Sequence, residues 1–318
     1  AYLYYQHPDN LMEFSLRARL HADTPAASGG FASGLAFADR QGHLAIVATG
    51  PGGTQNKGSA HLFGQSDPRV LPYLGEQAGS LLAHALAAGP VSDAGGDDLF
   101  IASPGARDTG GDAGAVLGLR ATKPTPADTL HVLRARSGDY NVVIWGKADE
   151  GFGNSLAVGP VDDSHRSELL IGAPLRKSGG AVYLLSGLRT HLVEGAVNYL
   201  HMSNSLDYQG LFISPEQGAG LGAQVHLVED PGTQRVDPLF AATGRNEDRG
   251  AVYLLKRQDS YNGQPLDVTE KSLQQAQAAG VTQEEHLGVV LASGDIDNKG
   301  RPYLLIANAN NTLYVLQR

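Results

Sequence analysis

The amino-acid sequence predicts an all-β fold assembled from repeated small sheets, and three observations predict it. Five stretches repeat one order of short apolar strands and turns. The 318 residues include 41 glycines and 16 prolines, so many short elements must be separated by tight turns. Apolar residues make up 42% and charged residues 18%, which sets the chain apart from disordered sequences.

The clearest unit runs from Gly151 to Ser186. A strand opens with Phe152-Gly153, an acidic turn follows over Pro160–Glu168, and a second strand, Leu169-Leu170-Ile171, ends in Gly172-Ala173-Pro174. A short loop then leads into a third strand over Gly180–Leu185. The same parts recur, giving units near 31–64, 78–119, 151–186, 218–255 and 286–316, with anchors at Ala32, Gly79, Gly153, Gly222 and Gly288. A repeat array grows as one body, so the whole chain, 1–318, is expected to be a single domain. Fourth strands are expected in the linkers, at Arg69–Leu74, Asn141–Trp145 and Leu211–Ser214.

A lone four-stranded sheet leaves both faces wet. Stacking such sheets face to face around an axis buries them, so the expected architecture is a β-propeller of about five four-stranded blades. A sandwich would leave the five recurrences of one turn unexplained. Residues 1–20 hold two strand-like runs, Ala1–Tyr5 and Glu13–Leu20, while the last unit supplies only three strands. Phe14–Leu20 is expected to join the C-terminal blade and close the ring, and Ala1–Tyr5 is left without a place. The chain opens in a strand rather than at a methionine, as in a processed or trimmed product. Val268–Gly280, with Thr269 as cap and Gly280 as terminator, predicts a short surface helix.

The Phe-Gly opening, acidic turn and Gly-Ala-Pro ending resemble FG-GAP repeats, the units of the integrin α-subunit propeller; Phe152-Gly153 with Gly172-Ala173-Pro174 is the full pair. The resemblance covers about residues 31–316. It implies a recognition fold, and it implies calcium in turns of the form Asp-x-Asp-x-Asp-Gly-x-x-Asp. Calcium needs several converging oxygens, and no turn here keeps the pattern. Asp295 and Asp297 stand at the first and third positions, but Lys299 and Tyr303 replace the fifth and ninth. No cofactor is therefore expected. Any calcium would fall at Asp295 and Asp297, and the turn acids are expected to satisfy backbone N–H groups instead.

Composition narrows the function classes. A net charge of −9 without basic clusters argues against nucleic acid, and no apolar run is long enough for a membrane helix. The absence of cysteine removes disulfides and thiolate chemistry. Neither an HExxH pair nor a Gly-x-Ser-x-Gly elbow is present, and Gly218–Gly222 opens a strand rather than a phosphate-cradling helix. His84 and His226 are expected at equivalent first-strand positions as hydrogen-bonded filler residues, with a shared polar site facing the axis as the alternative, and Trp145 is expected to pack between blades.

These observations point to a non-catalytic recognition or assembly module, secreted, periplasmic or at the cell surface. It would bind a protein or glycan partner or sit within a larger surface complex, with cell adhesion as the implied setting. The alternative is a hydrolase or lyase with a site in the axial channel at His84 and His226. Binding is expected on the loops between second and third strands: Pro104–Ala113, Gly244–Arg249 and Pro51–Lys57. The connections Pro68–Ala78, Lys147–Gly151 and Lys256–Glu285 should lie on the same face. Candidate residues are Arg107, Asp108, Asp112, Arg245, Asn246, Glu247 and Asp248.

Overall fold

The computed structural model describes residues 2–7, 10–19, 34–39, 44–50, 57–64, 70–75, 79–108, 111–121, 131–133, 140–162, 166–177, 179–230, 235–297 and 299–317. The chain is all-β. β1 (Tyr2–His7) and β2 (Asn10–Arg19) form an antiparallel hairpin. Five larger sheets follow.

Sheet 1 runs through β3 (Leu35–Asp39), β4 (Leu44–Gly50), β5 (Ser59–Gly64) and β6 (Val70–Gly75), each antiparallel to the last. Sheet 2 begins with β7 (Leu86–Gly89) and β8 (Asp98–Ser103), and the next loop carries a small ribbon of β9 (Arg107–Asp108) and β10 (Gly111–Asp112). β11 (Ala115–Leu119), β12 (His131–Leu133) and β13 (Val142–Trp145) come next, with β11 pairing β8 and β13. Sheet 3 contains β14 (Leu156–Gly159), β15 (Glu168–Ala173) and β16 (Ala181–Leu185). β17 (Asn198–His201) precedes its fourth strand, β18 (Gly210–Ile213).

Sheet 4 contains β19 (Leu221–Asp230), β20 (Arg235–Ala242) and β21 (Ala251–Leu255). β22 (Pro265–Asp267) precedes β23 (Gln274–Ala279), which pairs with β21. Sheet 5 has β24 (Val290–Gly294), β25 (Tyr303–Ala307) and β26 (Leu313–Gln317). In sheets 2, 3 and 4 the connection from third to fourth strand reaches back to the preceding sheet. There β12 pairs in parallel with β6, β17 with β13 and β22 with β18. The sheets therefore have five, five, five, four and three strands among the described residues.

Consecutive sheets abut through their first strands: β7 on β3, β14 on β7, β19 on β14 and β24 on β19. Side chains alternate across a strand, so each second strand feeds two cores. Leu99 and Ile101 enter the core shared with sheet 1, while Phe100 and Ala102 enter the core shared with sheet 3. Leu169 and Ile171 face sheet 2, and Leu170 faces sheet 4. Phe240 and Ala242 face sheet 3, and Leu239 and Ala241 face sheet 5. Each fully buried Leu or Phe contributes about 1.5–3 kcal/mol, which explains why these strands are continuous apolar runs rather than alternating ones. Trp145 joins the core between sheets 1 and 2, as expected.

One glycine position makes the sheet junctions possible. Gly180 opens β16 at φ +86° and bridges to Leu221; a Cβ there would sit 2.4 Å from the Leu221 carbonyl oxygen. The same close approach recurs at Gly58 with Leu82, Gly114 with Phe152 and Gly250 with Leu287. The residue after each partner also has positive φ: Ala83, Gly153, Gly222 and Gly288. The second unit is therefore anchored at Leu82-Ala83 rather than at Gly79, and Ala83 accepts a left-handed backbone that its sisters leave to glycine. The first anchor, Ala32, lies outside the described residues.

The fourth strands expected at Arg69–Leu74, Asn141–Trp145 and Leu211–Ser214 are β6, β13 and β18. The helix expected over Val268–Gly280 is instead a turn followed by strand β23. Asp267 takes hydrogen bonds from the Thr269 amide and hydroxyl, so Thr269 ends β22 and caps no helix. β21 then recruits Gln274–Ala279 by pairing, which outweighs the helical preference of Gln and Ala. The described parts of both N-terminal runs are strands, but β2 pairs with β1 and, among the described residues, not with β26, so 14–19 does not complete the last sheet; Ala1 and Leu20 lie outside the described residues.

Candidate functional site

The turn acids do local structural work. Asp98 accepts the amides of Val91 and Ser92, and Glu168 accepts the amide of Val161 at 2.8 Å. Asp295 accepts the amides of Lys299 and Gly300 at 3.0 and 2.7 Å. Asp297 accepts the Tyr303 hydroxyl at 3.0 Å and pairs with the Lys299 ammonium at 3.1 Å. The Lys299 ammonium beside it lowers the pKa of Asp297. A protein cation thus sits on one of the two carboxylates, Asp295 and Asp297, named from sequence.

Among the described residues, the loops Pro104–Ala113 and Gly244–Arg249 and the connection Lys147–Gly151 are tied to their neighbours, whereas Pro68–Ala78 contains strand β6 and Lys256–Glu285 contains strands β22 and β23, so these two are not loops. The Asp149 amide donates to the Asp112 carbonyl, Leu175 to Glu150, and His286 to Asp248, so connections and loops of neighbouring units meet. Arg107 and Asp112 face each other across the β9–β10 ribbon at 2.6 Å, with side chains 63% and 56% exposed. Such a pair is worth about 0–1 kcal/mol. Asp108 is half-buried on the same ribbon. Residues 51–56 of the first loop lie outside the described residues.

The loop of sheet 4 has an unusual backbone. Asn246, Glu247 and Asp248 are consecutive left-handed residues at φ 54°, 59° and 64°. Runs of this kind cost about 1–3 kcal/mol per residue and persist only where neighbours hold them. Glu216 is the holder: it accepts the Asn246 amide at 2.6 Å and pairs with the Arg245 guanidinium at 3.0 Å. Arg245 lies over the Tyr253 ring, 5.2 Å from its centroid. Glu247 and Asp248 project to solvent.

Asp248 also lines a cleft of about 640 Å³ between the loops of sheets 3 and 4. The other polar groups around it are Arg176, Lys177, Asn154, Gln217, Thr243 and His286. His286, itself at φ 47°, donates from Nδ1 to the Thr243 carbonyl at 3.2 Å. Lys177 and Asp248 put opposite charges on the rim. No Phe, Tyr or Trp lines the cleft among the described residues. Of the seven residues named from sequence, only Asp248 lines it. Arg245, Asn246 and Glu247 share its loop, and Arg107, Asp108 and Asp112 belong to the neighbouring ribbon.

Beneath the loops a clamp repeats. Its first copy is built on Glu150-Gly151-Phe152-Gly153, with the acid two residues before the Phe-Gly pair. Glu150 accepts the Tyr183 hydroxyl at 2.7 Å and pairs with Arg176 at 3.3 Å. Burial, then the neighbouring Glu150 charge, raises the pKa of Tyr183. In sheet 5 the matching run is Glu285-His286-Leu287-Gly288. There Glu285 accepts the Tyr314 hydroxyl at 2.6 Å, Asn308 at 2.9 Å, and the amides of Val281 and Thr282. These donors, the Tyr314 hydroxyl foremost, hold the Glu285 pKa down to about 2. In sheet 4 the corresponding residue is Ala219, and the buried Tyr253 hydroxyl has no hydrogen-bond partner among the described residues. The sequence carries a signal for this clamp, a Glu two residues before the Phe-Gly or Leu-Gly pair in two units.

His84 and His226 are not equivalent. Leu86 and Val225 occupy matching registers, opposite Ile101 and Phe240, so His84 precedes that position and His226 follows it. His84 bonds Asn154, and His226 lies 2.9 Å from the Ser293 hydroxyl on the next sheet. Desolvation lowers the pKa of both, which leaves them neutral at pH 7. No protein-family model matches the chain, and no curated protein matches it.

Proposed function

We propose that this chain is a β-propeller of about five blades, similar to FG-GAP propellers, and that it is a non-catalytic recognition or assembly module. Its partner-binding surface is the loop end of the sheets, centred on the cleft between sheets 3 and 4. The observation that carries this reading is the left-handed run Asn246–Asp248, held by Glu216 at the rim of that cleft. Backbone strain of this kind collects at binding sites. Opposite charges on Lys177 and Asp248, with no aromatic platform among the described residues, favour a protein partner over a glycan. A surface or secreted setting goes with this reading. The axial-channel hydrolase has less support, because both candidate imidazoles are spent on contacts between sheets.

The test is affinity capture from the native source with the wild-type chain and with a Lys177→Glu/Asp248→Lys variant. The stoichiometric partner should be lost with that variant and kept with Arg107→Ala/Asp112→Ala. Full capture by the Lys177→Glu/Asp248→Lys variant would overturn the assignment of the surface.

A further inference from the structure

We propose that sheet 4 binds a small monovalent carboxylate beneath its loop, between Arg245 and Tyr253, at the place where sheets 3 and 5 carry the clamp glutamate. The correspondence is geometric. The carbonyls of Glu150, Ala219 and Glu285 accept the amides of Leu175, Gly244 and Ala309 at 3.0, 2.9 and 3.0 Å. Tyr183, Tyr253 and Tyr314 stand opposite Ile171, Phe240 and Ile306. In sheets 3 and 4 an arginine also lies over the tyrosine ring, Arg176 at 5.6 Å and Arg245 at 5.2 Å from the centroid. Sheet 4 thus keeps the tyrosine and the arginine of the sheet 3 clamp and has Ala219 in place of its acid.

The donors that the acid serves are still there. Tyr253 is fully buried, and its hydroxyl has no hydrogen-bond partner among the described residues. The Arg245 Nη1 is buried without one as well. Arg176 leaves the same nitrogen unpaired beside Glu150, so the tyrosine hydroxyl is the group that sets sheet 4 apart. A buried donor left unpaired is costly, and a hydroxyl beside a guanidinium calls for an acceptor that carries negative charge. Glu216 already shares the Arg245 charge through Nε, which disfavours a divalent oxyanion. Size follows from the substitution: Glu exceeds Ala by one methylene and one carboxylate group, which is the bulk of acetate. Gly218 and Gly220 flank Ala219, Gly244 bonds its carbonyl, and all three line the cleft, so the way in is from there. The inference rests on the comparison of the three clamps and stands whether or not a protein partner covers the cleft.

The probe is acetate, titrated to about 100 mM in place of chloride at constant ionic strength and pH 7, with thermal melts of the full chain as the readout. At a tenfold excess over its dissociation constant, acetate should raise the wild-type midpoint by about 2 °C and saturate. Tyr253→Phe removes a donor to the anion and should lose most of that rise. Ala219→Glu supplies the carboxylate covalently and should lose all of it; if that variant does not fold, Tyr253→Phe decides. Amide NMR locates the site: acetate should shift the amides of 216–220 and 244–249 with the same dissociation constant. An unchanged wild-type midpoint, which would leave only water at the hydroxyl, would overturn the proposal. So would an equal rise in wild type and Tyr253→Phe, as from a general salt effect, or amide shifts confined to other residues.

Discussion

β15 and β25 contain the same three residues, Leu-Leu-Ile, in the same register against a third-strand tyrosine: Ile171 faces Tyr183, and Ile306 faces Tyr314. Every residue of β15 is buried, whereas β25 alternates, with Leu304 and Ile306 buried and Leu305 half-exposed. Sheet 3 has neighbours on both faces. Among the described residues sheet 5 has only sheet 4 beside it, so its other face exposes Val290, Leu313 and Val315, which are 57%, 56% and 51% exposed. The adjoining sheet, rather than the strand's own sequence, decides whether an apolar run is core.

Truncating the middle residue of that shared run should separate the two sheets most strongly. Leu170→Ala should cost about 3 kcal/mol, because it opens a cavity in the core between sheets 3 and 4. Leu305→Ala should cost less than about 1 kcal/mol, because little buried area is lost. Urea unfolding of the two variants measures both. Equal losses would mean that the outer face of sheet 5 is covered in solution.

The clamp extends the contrast to charge. Glu150 has a guanidinium partner, whereas Glu285 is held by neutral donors. Glu285→Gln should cost about 2 kcal/mol at pH 7, the scale of a hydrogen-bonded buried charge. The folded pKa of about 2 lies below the unfolded value near about 4.3. The stabilisation is therefore complete above about pH 4.3 and disappears as the pH falls toward 2. Stability measured over that window should fall in the wild type and flatten in the variant. An unchanged pH slope would remove Glu285 from the account.

A subtler difference separates sheets 3 and 4. Tyr183→Phe deletes a donor to a buried carboxylate and should cost about 1–2 kcal/mol. Tyr253→Phe deletes a hydroxyl that bonds nothing among the described residues and should be close to neutral. Thermal melts of the two variants decide the point, and equal shifts would show that Tyr253 has a partner after all.

The strands legible in the sequence are those whose apolar runs sit between turn residues, such as Leu169–Ile171 and Ala181–Leu185. Pro265–Asp267 is illegible as a strand, because three residues carry no periodicity and their partner, β18, lies far back in the chain. β23 reads as a helix because Gln and Ala favour one, and only pairing with β21 overrides that preference. Part of the cleft is legible: loops after second strands are where function collects, and that rule reaches Asp248. Lys177 lies on the same kind of loop in sheet 3, a shorter one; Asn154 and His286 precede first strands and share the surface only once neighbouring units come together.

Amide exchange at the two Leu-Leu-Ile runs puts the role of the adjoining sheets to its sharpest trial. With neighbours on both faces, the amides of 169–171 should exchange only through global unfolding, while those of 304–306 should exchange through a cheaper opening of sheet 5. Equal protection at the two runs, tracking denaturant in the same way, would contradict the claim that adjoining sheets set the stability of each strand.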